Sequence, residues 1–208
     1  MQSTLDQILI AEKESIIGPD NIPTGIFKTP VTEPLRLTKM GLEGDFQADR
    51  RVHGGLDKAV HHYAAENYAV LKQALPHLAE KFQPGTIGEN FSCFDLIEED
   101  VHIGDIFSVG TAIVQVSQPR RPCMKLNYRY GNAYLVNFVI EQQITGWYYR
   151  VIKEGIIQVG DQISLTERLT ESVSIAELWR QWSELMDKKQ STLPLMKTPG
   201  LAMEWLNY

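Results

Sequence analysis

The chain has 208 residues, 43% of them hydrophobic and 22% charged, which is the composition of a soluble globular protein able to bury a sizeable core. Twenty basic against 26 acidic residues give a net charge of −6, which argues against a non-specific nucleic-acid binder. No apolar run approaches the roughly 20 residues of a membrane helix, the N-terminus lacks signal-peptide features, and two cysteines form no disulfide framework, so we expect a cytoplasmic protein.

The first half of the chain is predicted to contain short strands, turns and one helix. Residues 7–11 are apolar and β-prone, and residues 35–38 alternate as in a half-buried strand. Residues 64–75 carry apolar side chains at helical spacing until Pro76 interrupts them.

The second half begins with further strand signals. Strands are predicted at residues 91–94, 106–109, 112–117 and 147–152, and a helix at 135–144. Two Gly-Asp pairs, at residues 104–105 and 160–161, each turn the chain into a strand. Short strands separated by glycines favour a closed or nearly closed β-barrel with flanking helices, an α+β protein that is mainly β.

The sequence changes character after residue 167. Ser174 is placed to cap a helix, with Glu177 three residues on, and apolar residues then recur at helical spacing. Residues 191–195 and 198–206 suggest two more short helices. We therefore expect a β domain at 1–167 and a small three-helix subdomain at 168–208 that docks on it, with its Trp and Leu stripe used for packing.

The segment around Cys123 is the most informative one. Between residues 118 and 129 it carries four cations and no acid. A thiol binds a metal or attacks an electrophile as the thiolate, which neighbouring cations favour. Flanking prolines at 119 and 122 stiffen the backbone. A rigid, cationic cysteine loop suits an anionic, thiolate-liganded group, although a lone cysteine is more often a small buried hydrophobe. Cys93, among aromatic neighbours, is predicted to lie in the core.

Two other segments carry polar candidates. Gly54-Gly55 lies between His53 and residues 57–58. Paired glycines there would allow a ligand to approach the backbone closely. The alternative is an ordinary turn with histidines that have a structural role. The Glu89-Asn90 pair precedes a predicted strand; the alternative is that these two side chains only satisfy backbone groups in a turn.

Two familiar cysteine chemistries fit the sequence poorly. A zinc site fails on ligand count, because the two cysteines are distant and no His-x-x-x-His spacing occurs. A cysteine-protease reading lacks a nucleophile signature, and Cys123, flanked by proline, is not at an obvious helix start.

Taken together, the order of motifs resembles the MOSC family (molybdenum cofactor sulfurase C-terminal domain), and within it a stand-alone bacterial subgroup with a three-helix C-terminal appendage. The resemblance spans nearly the whole chain. The segments that carry it are residues 41–45 (GLEGD), 50–60 (RRVHGGLDKAV), 88–91 (GENF), 101–107 (VHIGDIF) and 116–126 (VSQPRRPCMKL).

The resemblance implies a MOSC-type β-barrel that binds the molybdenum cofactor, a pterin dithiolene with a terminal phosphate, and reduces N-hydroxylated compounds such as purine bases. Cys123 matches the family's molybdenum ligand, and His53 is our first choice of proton donor. The other candidate cofactor-binding residues are motif matches or their neighbours: Lys58, Asn90, Arg120, Arg121, Asp57, Glu89 and Lys125.

Electrons are expected from a partner reductase that carries flavin or an iron–sulfur cluster. The chain has no Rossmann glycine motif, and two cysteines cannot hold a four-thiolate cluster. Rival hypotheses are a sulfur or cofactor carrier that uses Cys123, and a barrel that binds another phosphorylated ligand. Whether the C-terminal helices bind the reductase or close a homodimer stays open.

Overall fold

The structure is a computed structural model that describes residues 1–191, 195 and 197–206. Its strands are β1 (Gln2–Thr4), β2 (Gln7–Ile10), β3 (Ser15–Ile17), β4 (Ile22–Thr24), β5 (Thr29–Pro30), β6 (Leu35–Thr38), β7 (Gly41–Leu42), β8 (Val60–Ala64), β9 (Phe91–Cys93), β10 (Ile106–Val109), β11 (Ala112–Pro119), β12 (Trp147–Lys153), β13 (Gly155–Ile157) and β14 (Gln162–Glu167). Its α-helices are α1 (Arg50–His53), α2 (Asn67–Ala74), α3 (Lys125–Tyr130), α4 (Leu135–Glu141) and α5 (Ile175–Asp187), and 3-10 turns cover Leu56–Lys58, Pro76–Lys81 and Met203–Leu206.

A nine-stranded, mostly antiparallel sheet dominates this mixed α/β fold. Its order is β1-β14-β10-β11-β12-β8-β9-β2-β5. Strands β1 and β2 lie near opposite ends of that order, yet Leu5 and Asp6 alone separate them in the chain. The sheet therefore curls round, so that the end that contains β2 returns towards β1. Among the described strands no hydrogen-bonded pairing completes the ring, so the predicted barrel is rolled but not closed.

The predicted strands and helices largely match the structure. All six predicted strands are confirmed within two residues at either end. The two Gly-Asp turns lead into β10 and β14, which pair with each other, and Gly104 and Gly160 have φ values of +83° and +92° that suit glycine. The helix predicted at 64–75 begins later, at Asn67, because Ala64 belongs to β8 and pairs with Cys93.

Strand β8 and helix α3 were not predicted. All five residues of β8 are buried, although two of them are histidines, since this strand lies between β12 and β9 inside the sheet. Because His61 and His62 are polar, the pattern of hydrophobic residues does not indicate this strand.

The C-terminal segment shares the main core of the sheet. Trp179 and Trp205 are 2% and 0% exposed and belong to the same apolar cluster as Phe107 and Tyr149 of the sheet. Ser174 caps α5 as predicted, accepting the Glu177 N–H at 3.1 Å. The helix predicted at 191–195 falls mainly on residues outside the described ones.

No described helix has both the length and the apolar character that crossing a lipid bilayer requires.

Candidate functional site

Cys123 lies at the junction between β11 and α3. At the end of β11 the Arg120 N–H donates to Gly146 O at 2.9 Å, and on the other side the Leu126 N–H donates to Cys123 O at 3.0 Å. From the sequence no helix start is obvious at Cys123; in the structure α3 begins two residues later, at Lys125, after Met124 as its N-cap.

Cys123 borders a pocket with an open volume of about 590 Å³. We call it the cationic pocket. Six of the predicted site residues line it: His53, Lys58, Asn90, Arg120, Cys123 and Lys125. The remaining lining residues are Thr24, Gly25, Ile26, Lys28, Asp45, Phe46, Gln47, Ala48, His61, Ile87, Gly88 and Tyr148.

Arg120 offers an unused hydrogen-bond donor to this pocket. The residue is 6% exposed, and its Nη2 donates to Ile87 O at 3.2 Å. Its Nη1 has no hydrogen-bond partner among the described residues. A buried guanidinium nitrogen without an acceptor costs free energy that an anionic ligand would recover, and guanidinium groups bind phosphate and carboxylate strongly.

Two lysines extend the positive charge. The Lys58 side chain is 4% exposed; its Nζ donates to Val52 O at 3.0 Å and lies 3.1 Å from the Glu204 carboxylate of the C-terminal segment. Lys125 Nζ donates to Pro23 O at 2.9 Å. With Lys28, which also lines it, the pocket presents three lysine side chains and one guanidinium group, a combination suited to phosphate.

His53 is neutral in this setting. Its burial, and after that the charges of Lys125, Arg120 and Lys58, lowers its pKa from 6.5 to about 4, against a small opposing effect of Asp49. An imidazole with that pKa is a poor proton donor at neutral pH. An anion bound among the same cations would raise the pKa of His53, because it would offset their repulsion of the imidazolium.

Asn90 holds together one wall of the pocket. Its Oδ1 accepts the His61 N–H at 3.1 Å, and its Nδ2 donates to Asp45 at 2.8 Å and to Leu9 O at 3.1 Å. Asp45 also binds Lys28 Nζ at 2.6 Å, in a pair whose side chains are 7% and 2% exposed. Burial lowers the pKa of Lys28 in spite of this partner.

Sequence reasoning missed part of this wall. Asp45 lies in the matched 41–45 segment but was not singled out, and Lys28 stands in a stretch without a motif. Tyr148 and His61 face the pocket from neighbouring strands, which pair through these two residues. Strand alternation alone could not assign those faces, because β8 was not predicted.

Glu89 lies behind the wall rather than on it. The residue is 0% exposed and accepts the Gly85 N–H at 2.6 Å, the Ile87 N–H at 3.2 Å and the Tyr68 hydroxyl. Burial raises the pKa of Glu89, opposed by these donors. Glu89 thus shapes the turn whose Ile87 carbonyl binds Arg120.

Asp57 and Arg121 also lie outside the cationic pocket. Asp57 pairs with Arg150 at 2.6 Å. The Arg121 guanidinium lies 4.9 Å and 4.6 Å from the ring centroids of Trp182 and Trp205, and its Nη2 donates to Trp205 O at 2.7 Å. Arg121 therefore attaches the cysteine loop to the C-terminal segment.

The glycine pair has a packing role. A Cβ on Gly54 would lie 2.3 Å from Gln47 Oε1, and Gly55 has a φ of +96°. Neither of the two is among the lining residues of the cationic pocket. The glycines thus let α1 approach Gln47, which brings His53 and Lys58 to the pocket.

The second cysteine is structural, as predicted. Cys93 is 0% exposed, burial raises its pKa to about 12, and its sulfur lies 3.5 Å from His62 Nε2. His62 stacks on Trp147 at 4.4 Å between ring centroids, and burial lowers its pKa to about 3. Cys93 and His62 are therefore core residues.

Within the described part of the chain, no three His, Cys, Asp or Glu side chains come together as a metal site. A metal ion at Cys123 would thus depend on ligands that a cofactor brings with it.

The chain was also compared with known proteins. The family model of the MOSC domain matches residues 49–164. Protein YiiM of Escherichia coli strain K12 is 37% identical over 187 residues, which are 90% of this chain and 83% of that protein. A protein of Gibberella moniliformis named reductase is 35% identical over 157 residues, 75% of this chain but 28% of the fungal protein.

A solved structure has the same fold. The crystal structure of YiiM from Geobacillus stearothermophilus superposes with a TM-score of 0.79 at 30% sequence identity, covering 98% of this chain and 95% of that one.

Proposed function

The chain belongs to the MOSC domain family, and on that premise we propose that it binds the molybdenum cofactor and reduces N-hydroxylated compounds. The observation that carries the proposal is the cationic pocket, in which a half-buried cysteine shares one wall with buried cations. The relative named reductase supports the reaction class.

The residues present fit an anionic, metal-bearing cofactor. Arg120 Nη1 is buried without a partner, as a donor reserved for a ligand oxygen would be. Lys58 and Lys125 add charge for a terminal phosphate. Thiolate is a preferred ligand of soft, thiophilic metals.

In this proposal Cys123 binds the metal, and Arg120, Lys58 and Lys125 hold the phosphate end. When bound, the cofactor would supply a two-electron redox centre next to the cysteine sulfur. Asn90 keeps the pocket wall in place, because its amide is already engaged with Asp45 and His61.

The reaction consumes protons that the protein must deliver. Reduction of R–NH–OH with two electrons and two protons breaks the N–O bond and yields R–NH₂ and water. His53 lines the same pocket as Cys123 and is the candidate proton carrier. Since its pKa is about 4 without an anion, proton delivery requires bound negative charge to raise it towards neutrality.

Electrons come, in this proposal, from a partner reductase with flavin or an iron–sulfur cluster. The chain itself supplies two cysteines in all, one of them buried in the core, and no dinucleotide motif.

The cofactor assignment is tested by metal and pterin analysis of protein purified from a cofactor-producing host. Wild type should carry molybdenum and pterin in about equal amounts, and Cys123→Ser should lose the metal. Cys93→Ala, which removes the buried thiol, is the matched control and should keep both. Full metal retention in Cys123→Ser would exclude thiolate ligation.

Turnover separates an enzyme from a carrier. Loaded wild type, given a reduced viologen dye as electron source, should convert an N-hydroxylated purine to the amine. A protein that holds molybdenum and pterin but produces no amine under these conditions would be a carrier instead.

A further inference from the structure

A second chamber shares part of its wall with the cationic pocket. It has an open volume of about 670 Å³. The residues common to both are His53, Lys58, Cys123 and Tyr148, and the second chamber adds Val52, Gln118, Arg121 and Pro122. Two ligands, one in each space, would therefore both reach the Cys123 side chain.

A β-bulge directs Gln118 towards this chamber. The pairing of β11 with β12 shifts register between Val116 and Gln118. Ser117 is left out of the ladder, and its hydroxyl donates to Tyr148 O at 3.0 Å. Beyond the bulge Gln118 pairs with Tyr148, so the two side chains stand next to each other on one face. Bulges commonly re-aim side chains next to binding sites.

The Gln118 amide is buried with an unused acceptor. The residue is 2% exposed, and its Oε1 has no hydrogen-bond partner among the described residues. Buried polar atoms in proteins are nearly always paired, since leaving one unpaired costs free energy. A ligand with an N–H or O–H group would satisfy Gln118.

The cations of the second chamber are already engaged. Arg121 is stacked on two indole rings and bonded to Trp205 O, and Lys58 faces Glu204. Val52 and Pro122 add apolar surface. An anionic group is therefore favoured in the cationic pocket, where Arg120 Nη1 lies unpaired, and a neutral planar molecule is favoured in the second chamber.

We infer that the second chamber binds the substrate, a neutral planar nitrogen heterocycle that bears the N–OH group. A ring N–H donates to Gln118 Oε1, the ring lies against Tyr148, and the N–OH group points to the Cys123 side of the chamber. This inference rests on the proposed function. It makes Gln118 a specificity residue that selects heterocycles with a hydrogen-bond donor at that edge.

The test uses two probes on the cofactor-free protein, 6-hydroxylaminopurine for the second chamber and pyrophosphate for the cationic pocket. Gln118→Met removes the acceptor at similar size and should weaken purine binding about tenfold while pyrophosphate binding is unchanged. Lys125→Met should do the reverse. Equilibrium dialysis measures both affinities. Unchanged purine affinity in Gln118→Met, or equal losses for both probes, would overturn the inference.

Wild-type NMR gives a readout that does not depend on the variant folding. The Gln118 side-chain amide signals should shift with the purine and stay in place with pyrophosphate; if the purine leaves them unmoved, the inference is wrong. In cofactor-loaded enzyme, Gln118→Met should raise KM about tenfold with kcat within threefold of wild type. If wild type purified from a cofactor-producing host carried no molybdenum but still bound the purine at Gln118, the proposed function would be refuted while this site would stand.

Discussion

Acid unfolding of this protein should depend measurably on His53. Burial and the neighbouring cations lower the pKa of His53 from 6.5 to about 4. In the unfolded chain His53 binds this proton with its ordinary pKa of 6.5. The free energy of unfolding therefore decreases as the pH falls from 6.5 to 4, and it does not depend on His53 above pH 6.5. At pH 5 the unfolded imidazole is almost fully protonated and the folded one is about one-tenth protonated, a difference of about 2 kcal/mol in the free energy of unfolding.

The assay is urea unfolding near pH 7.5 and near pH 5. Wild type should lose about 2 kcal/mol more stability between these two conditions than His53→Gln, since the substitution removes the depressed group. His77→Gln, at an exposed histidine, is the matched control and should lose as much as wild type. An equal loss in His53→Gln and wild type would refute the reasoning. In addition, Lys125→Met should raise the pKa of His53 in an NMR titration, because it removes the strongest neighbouring charge.

Three further predictions concern the C-terminal segment. Ser174→Ala removes the N-cap of α5 and should lower the free energy of unfolding, measured in urea, by about 1 kcal/mol. A change near zero would mean that water replaces the serine hydroxyl at the Glu177 N–H. Glu204→Gln removes the ion pair of Lys58 and should tighten pyrophosphate binding about threefold. Glu184→Gln, at an exposed side chain of α5, should leave pyrophosphate binding unchanged, and equal effects of the two substitutions would point to net charge alone. Trp205→Ala should lower the free energy of unfolding, measured in urea, by about 3–5 kcal/mol, since the indole is fully buried in the main core. A decrease below about 1 kcal/mol would show that this segment adds little to the stability of the core.

Much of the site was accessible from the sequence. The residue types around Cys123 indicated a cationic cysteine loop, and the order of motifs indicated the MOSC family, which the comparisons confirm. Six of the nine predicted site residues line one pocket. The roles assigned to them stay predictions.

What the sequence determined by itself was the local structure: where strands begin, where Ser174 caps a helix, and which loop carries cysteine among cations. These depend on near neighbours in the chain, through backbone preference and side-chain spacing. The tertiary structure decided that Glu89 lies behind the wall, that Arg121 binds the C-terminal indoles, and that Lys28 enters the pocket. The deciding partners are distant in the chain: Glu89 and Tyr68 are 21 residues apart, Arg121 and Trp205 are 84 apart, and Lys28 and Asp45 are 17 apart. A shifted register in β11 settles where Gln118 points, so a local pattern does not specify these contacts.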